Sequence, residues 1–473
     1  MNWLGLHTFT SAISGLAKYI TGTAGAGFIQ IPNQTPDPGN ADASTKRLYT
    51  DASNILTTID SVGTKAVVKL GGATVIQSVT SSGASVLAKW VADLTGLHVK
   101  NVNAKHAVAS YIHGATAVAN AYDGAVYSPT QNRIYLLPRT QSTATQWHYI
   151  DGVTGAVVPY TTSATAVGLA YAGGSYSPTQ NRIYFAPYSQ ATATQWHYID
   201  CSSGAVVAYS TGVVVSSLAY TGSCYSPTQN RIYLAPLGRS SSATWHYIDC
   251  SSGAVTVYTH GFGLGIPVNA YAGAAYSPTQ NRIYFAPYSQ SSVATWHYVD
   301  CTNGSIIAYT HGFGTAVGSY QGACYSPTQN RIYFAPLAQS NVATWHYIDC
   351  SNGSVIAYTH GFGTGIITNA YNRACYSPTQ NRIYLVPNAI SNVEVWHYID
   401  CSNGSVIAYT HGFGTSITTA GYSGAAYDPT LNRIYLAPYG QAAQTTWHYI
   451  SSTGSAETLA PYMFGGSILS SAI

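Results

Sequence analysis

Tyr325 to Pro336 reads YSPTQNRIYFAP, Thr344 to Cys350 reads TWHYIDC, and Ser351 to Gly363 reads SNGSVIAYTHGFG. These are short β-forming runs separated by turn residues. Proline follows the Tyr325-Ser326 strand end, where its missing N–H costs no ladder bond. Asn352-Gly353 between two apolar runs is the strongest short hairpin signal. The stretch therefore predicts four strands: A ending at Tyr325, B from Arg331 to Pro336, C from Thr344 to Asp349 and D from Ser354 to Thr359. The same wording occurs seven times. Its arginines are Arg133, Arg182, Arg231, Arg282, Arg331, Arg382 and Arg433, spaced 49, 49, 51, 49, 51 and 51 apart. Self-similarity at a fixed period of this length marks a propeller or solenoid. Seven four-stranded units make an all-β, seven-bladed β-propeller.

Antiparallel pairing of B with C sets Arg331 across from Asp349, Tyr333 across from Tyr347 and Ala335 across from Trp345. The equivalent charge pairs are Arg133–Asp151, Arg182–Asp200, Arg231–Asp249, Arg282–Asp300 and Arg382–Asp400. In the last copy strand C ends in Ser451, and Asp428 of the Tyr427-Asp428-Pro429 turn replaces the missing acid beside Arg433. These pairs are expected to be structural, each arginine held by a carboxylate within its blade. The last copy is expected to supply its own strand D from Ser455 to Tyr462. Residues 106–114 (HAVASYIHG) nevertheless resemble the strand D wording VIAYTHG. Two readings of residues 97–114 stay open, an added outer strand or the remnant of an eighth unit.

Composition divides the chain. All seven lysines (18, 46, 65, 69, 89, 100 and 105) precede residue 106, and from there on ten arginines balance ten acids. That shift places a domain boundary near residue 105. Residues 1–25 are read as a docking peptide or helix, and 26–105 as a small β-rich attachment module and linker. A short helix is expected around Val86–Leu94, and 106–473 form the propeller. A formal charge of +3 leaves no electrostatic footprint for nucleic acid. No apolar run is long enough to span a membrane, and the N-terminus lacks the basic region of a signal peptide. The eight cysteines fall in slots that elsewhere hold Gly, Ala or Ser, so they read as small buried positions with free thiols.

The repeat resembles the YVTN family of β-propellers through Pro327, Asn330, Arg331, Ile332, Tyr333, Ile348 and Asp349, over about 350 residues. The Trp-His-Tyr of strand C departs from that pattern. The resemblance implies a fold and no particular activity. Residues 26–71 resemble the short β modules of phage tail-fibre and minor virion proteins, through Phe28 to Pro32, Arg47-Leu48-Tyr49 and Asp51 to Ile59.

Catalysis is not expected. After residue 105 the acids outside the repeat are Asp123, Glu394 and Glu457, and no glycosidase-type carboxylate pair stands out. Zinc, redox and serine-hydrolase motifs lack their minimum parts, so neither metal nor cofactor is expected. The candidate ligand-binding residues are His260, Phe262, His311, Phe313, His360, Phe362, His411 and Phe413, from four His-Gly-Phe-Gly loops, together with Tyr439. A ring of imidazole and aromatic contacts suits a sugar or a transition metal. The competing reading has Phe plugging between blades while the glycines turn the chain. Copy-to-copy variation falls in the B–C loops (Arg139-Thr140-Gln141, Leu237-Gly238-Arg239, Asn388-Ala389-Ile390, Tyr439-Gly440-Gln441) and the D–A loops, which share one rim. Loops on a rigid frame are where function concentrates.

The expected role is a virion appendage of the tail-fibre kind, binding without catalysis. Its N-terminal region would contact other virion proteins, and its propeller loops a host surface glycan or protein. The alternatives are a purely structural virion part, such as a tail nozzle or decoration protein, and a secreted or cell-surface propeller lectin. A homo-oligomer suits a fibre, but no heptad run specifies one.

Overall fold

The computed structural model describes residues 108–451, apart from 165, 291–292 and 314–318, and the backbone of short strands on either side of that span. The chain forms two compact units, one of residues 105–454 and one of residues 1–104 with 455–473.

The larger unit is a seven-bladed propeller of four-stranded antiparallel blades. From blade 1 to blade 7, strand A is Tyr122–Ser128, Tyr171–Ser177, Tyr220–Ser226, Tyr271–Ser277, Tyr320–Ser326, Tyr371–Ser377 and Tyr422–Asp428. Strand B begins at each motif arginine and ends at the proline five residues on. Strand C carries the Trp-His-Tyr and ends at the repeated aspartate, or at Ser451 in blade 7. Strand D of blade 5 is Val355–Thr359. The seven strand C tryptophans are fully buried, filling the space between neighbouring blades.

The last blade corrects an expectation. Its outer strand is Val108–Ile112, paired with Thr446–Ser451 in the register Val108↔Ile450 to Ile112↔Thr446. The segment resembling strand D is thus the missing strand D, so the ring is closed from the N-terminal side. Within the expected Ser455 to Tyr462 strand, Ala460–Pro461 pairs instead with His98 and Val99. The match extends past the strand. His113 stacks on Trp447 at 3.9 Å, as His360 stacks on Trp345 at 4.2 Å.

Two of the three expected cross-strand pairs are present, and Ala335 is not paired with Trp345. Arg331 faces Asp349 and Tyr333 faces Tyr347, after which the B–C ladder ends. The arginine itself is held differently from the expectation. Its guanidinium lies 4.4 Å from the Tyr347 ring centroid and donates to the Tyr333 hydroxyl at 3.3 Å. All seven motif arginines lie 4.2–4.5 Å over the equivalent ring. Asp349 instead accepts the Ser351 amide (2.9 Å) and hydroxyl (2.5 Å), capping the C–D turn. Asp428, fully buried, likewise accepts the Thr430 and Leu431 amides while pairing in register with Arg433. A planar guanidinium lies flat on an aromatic face, whereas a carboxylate beside a turn finds free N–H donors.

Blades are stitched at the A–B turns. Thr130 donates to the Asn181 side chain (2.7 Å) and to the Cys201 carbonyl (3.2 Å) of the next blade. Thr430 reaching Asn132 at 3.0 Å repeats the first contact across the closure. The eight cysteines are free thiols, and burial pushes those following the aspartates (201, 250, 301, 350, 401) up to about 11.

At the axis the A strands meet through glycine. A Cβ on Gly424 would stand 2.6 Å from the Gly124 Cα, closer than real atoms approach. Gly424→Ala is expected to cost about 2–3 kcal/mol, the upper part of the overpacking range. Gly361→Ala, with nothing within 4 Å but φ +87, is expected to cost about 1–2 kcal/mol through backbone strain alone. Urea unfolding of the two variants checks the order, and equal costs would argue against a close-packed axis.

In the smaller unit, Arg47–Thr50 pairs with Leu56–Ile59, which pairs with Lys65–Val67. The helix expected around Val86–Leu94 is instead a strand, Ala88–Asp93, hairpinned to Gly96–Asn101. Residues 1–25 and Phe28 to Pro32 lie outside the described residues. No helix among the described residues is long and apolar enough to cross a membrane.

Candidate functional site

Strand A begins on the face bearing the B–C and D–A loops, because its first residue pairs with the last residue of strand B (Tyr122↔Pro138). The second residue of each A strand therefore stands at the mouth of the axis, and the third forms the axial ring. In six blades the third residue is glycine: 124, 173, 222, 273, 322 and 424. In blade 6 it is Arg373.

That substitution sets up an asymmetric cluster. Arg373 donates to Asp123 Oδ1 of blade 1 at 3.1 Å. Arg139, first residue of the blade 1 B–C loop, donates to Asp123 Oδ2 at 2.7 Å. Asp123 is 4% exposed. Arg373 also reaches blades 2 and 3: its Nη1 would lie 2.8 Å from a Cβ on Gly173 and 3.6 Å from one on Gly222. The Arg139 guanidinium lies 5.0 Å from the Tyr188 ring and 5.5 Å from the Tyr439 ring, the first B–C loop residues of blades 2 and 7. Two guanidinium groups share one carboxylate, so the cluster carries one net positive charge. The buried Nε of each arginine makes no hydrogen bond. Below the mouth is an axial cavity of about 140 Å³, lined by Gly, Ala, Ser223, Leu137 and Arg373.

The His-Gly-Phe-Gly residues are placed otherwise. His260, His311, His360 and His411 are buried, at 3–4% exposure. Each imidazole stacks on the tryptophan of its own blade at 4.2–4.4 Å. His360 Nε2 donates to the Val342 carbonyl at 2.7 Å, and its Nδ1 accepts the Phe362 amide at 3.3 Å. The other three repeat both bonds. With both nitrogens engaged, no imidazole edge is left for a metal or sugar. Phe262, Phe313, Phe362 and Phe413 lie half-buried against His297, His346, His397 and His448 of the next blade, at 4.5–4.6 Å. These loops are interblade plugs, the second of the two readings. Among the described residues no group of three or more His, Cys, Asp or Glu is placed to hold a metal.

Tyr439 does join a cluster, through Arg139. Both stood in loops marked by copy-to-copy variation, and Asp123 stood among the acids outside the repeat. Arg373 was missed. Its one signal was an arginine at the glycine of the YxGxxYS wording.

No known family description matches the chain, and no curated protein matches it in sequence. Solved structures do match. The chain aligns with Kuenenia stuttgartiensis hydrazine synthase at 11% identity and a TM-score of 0.50, covering 72% of this chain and 99% of that one. It aligns with a chain of the mitotic checkpoint complex at 9% identity and a TM-score of 0.50, covering 80% and 98%. What these proteins share with it is the fold.

Proposed function

We propose that this chain is a non-catalytic recognition protein that presents the B–C and D–A loop rim of its propeller to a polar ligand on a host surface, as an appendage of a virion. The reading is carried by the Arg139–Asp123–Arg373 cluster. It breaks the sevenfold repeat on the variable rim, with Arg373 standing where the other six blades have glycine. The cluster's one carboxylate is engaged by two guanidinium groups, so it is poorly placed to act as a general base. Tyrosine and arginine at a recessed, partly desolvated spot are the residue types that dominate binding surfaces. The virion setting is supported by the resemblance of residues 26–71 to tail-fibre modules, with that region contacting other virion proteins.

The test is a screen of the full chain on arrays of microbial glycans and envelope polysaccharides, beside Arg139→Ala and Tyr439→Ala. Binding that drops at least tenfold in either variant, a loss of about 1.4 kcal/mol, supports recognition through this rim. A folded, monodisperse chain that binds nothing on the arrays would count against recognition and favour the purely structural virion role.

A further inference from the structure

The axial cluster also specifies the class of ligand, an inference that rests on the recognition reading above. Within the propeller the other acids are committed elsewhere. Six aspartates cap C–D turns, as Asp349 does, and Asp428 lies in the blade 7 A–B turn. Glu394 lies in the blade 6 B–C loop, near Gly414. Among the described residues, Arg373 is the one charged residue lining the axial cavity. A net positive charge recessed among glycine and alanine is costly unless an anion meets it, and two guanidinium groups on one point make a strong fork for a carboxylate.

The lining narrows the choice: small residues with Arg373 as the charged member suit a compact anionic group at the axis. Tyr188, Tyr288 and Tyr439 occupy the same position after strand B in blades 2, 4 and 7, each half-buried. Aromatic side chains there offer a surface on which a pyranose can rest while its acid group points inward. We infer that the propeller axis is a binding site for a carboxylate-bearing glycan of the uronic acid type, with Arg373 and Arg139 holding the carboxylate at the axis and the rim tyrosines holding the sugar.

The decisive variant is Arg373→Gly, which restores the residue of the other six blades and should fold. The full chain and this variant are titrated calorimetrically with tri-galacturonate, neutral galactotriose, sodium acetate and inorganic phosphate. Wild type is expected to bind tri-galacturonate at least about tenfold more tightly than galactotriose, weakening as salt is raised. Arg373→Gly is expected to lose that preference. Asp123→Asn, which releases both guanidinium groups from their internal partner, is expected to bind tri-galacturonate at least as tightly as wild type. Equal binding of tri-galacturonate by Arg373→Gly and wild type overturns the inference. So does phosphate or acetate binding without tri-galacturonate, and so do destabilised variants with unchanged ligand preference. Galactotriose binding without tri-galacturonate overturns it while recognition stands. A chain that binds no glycan on the arrays removes both.

Discussion

Deleting residues 107–114 is expected to remove the cooperative unfolding transition of the propeller. Those residues contain the fourth strand of blade 7, and their removal leaves the outer edge of Thr446–Ser451 unpaired. They also remove the edge-on contacts of Tyr111 with Tyr435 (5.8 Å) and Trp447 (6.4 Å), and the His113 stack on Trp447. Truncating a fully buried aromatic side chain costs about 3–5 kcal/mol, and Tyr111 is half-buried. With the ladder bonds gone as well, the loss should rival the whole stability of a typical domain, about 5–15 kcal/mol. Tyr111→Ala should fall between, with a transition still present but shifted. Urea unfolding followed by near-UV circular dichroism reads both. A deletion that unfolds at the wild-type urea concentration would show that the ring is not closed by this strand.

Acid should unfold this propeller through its buried histidines. Seven strand C histidines (148, 197, 246, 297, 346, 397 and 448) are almost fully buried. Burial, the first cause in every case, lowers each to about 4. Neighbours push the same way: His113, Arg239, His260, His311, His360 and His411 each disfavour a second positive charge beside them. Each Nδ1 shares a hydrogen bond with a buried tyrosine hydroxyl, such as Tyr320 with His346 at 2.6 Å. The sign follows from linkage. In the unfolded chain these groups protonate near 6.5, so between 6.5 and about 4 the unfolded state holds more protons than the native one. Stability is therefore complete above about pH 6.5 and falls as the pH drops towards 4. Each site can contribute up to about 1.4 kcal/mol per pH unit. Seven acting together would exceed the total of an ordinary domain, so unfolding is expected within that window. Denaturant midpoints at pH 7, 6 and 5 measure the slope. A flat profile from 7 to 5 would mean that the imidazoles are not sequestered in the native state.

The repeat could be read so fully because its information is local. Alternation in RIYFAP, the proline after Tyr-Ser and the Asn-Gly turn specify strands and hairpins within some forty residues, and the observed Arg331↔Asp349 register follows from them. The partner of Arg331 was less legible. Facing an acid across a ladder does not require touching it, and the competition between the Tyr347 ring and the Asp349 carboxylate is settled by side-chain packing. The His-Gly-Phe-Gly loops were ambiguous for a related reason. Imidazole beside aromatic reads alike for a sugar platform and for a plug, and only the carbonyl at Nε2 decides between them. The helix expected around Val86–Leu94 failed because nine mixed residues carry too little periodicity to tell helix from strand.

The seven blades, their four-stranded order and register, and the turns between strands were all legible in the amino-acid sequence. Each of these is repeated chemistry acting over short distances. Which segment closes blade 7, and where the sevenfold pattern breaks, came from contacts between distant parts of the chain. Val108–Ile112 reaches Thr446–Ser451 from the opposite end of the propeller, and Arg373 meets Asp123 across 250 residues. Such meetings leave no local pattern, because closing the ring is what brings the two ends of the repeat array side by side.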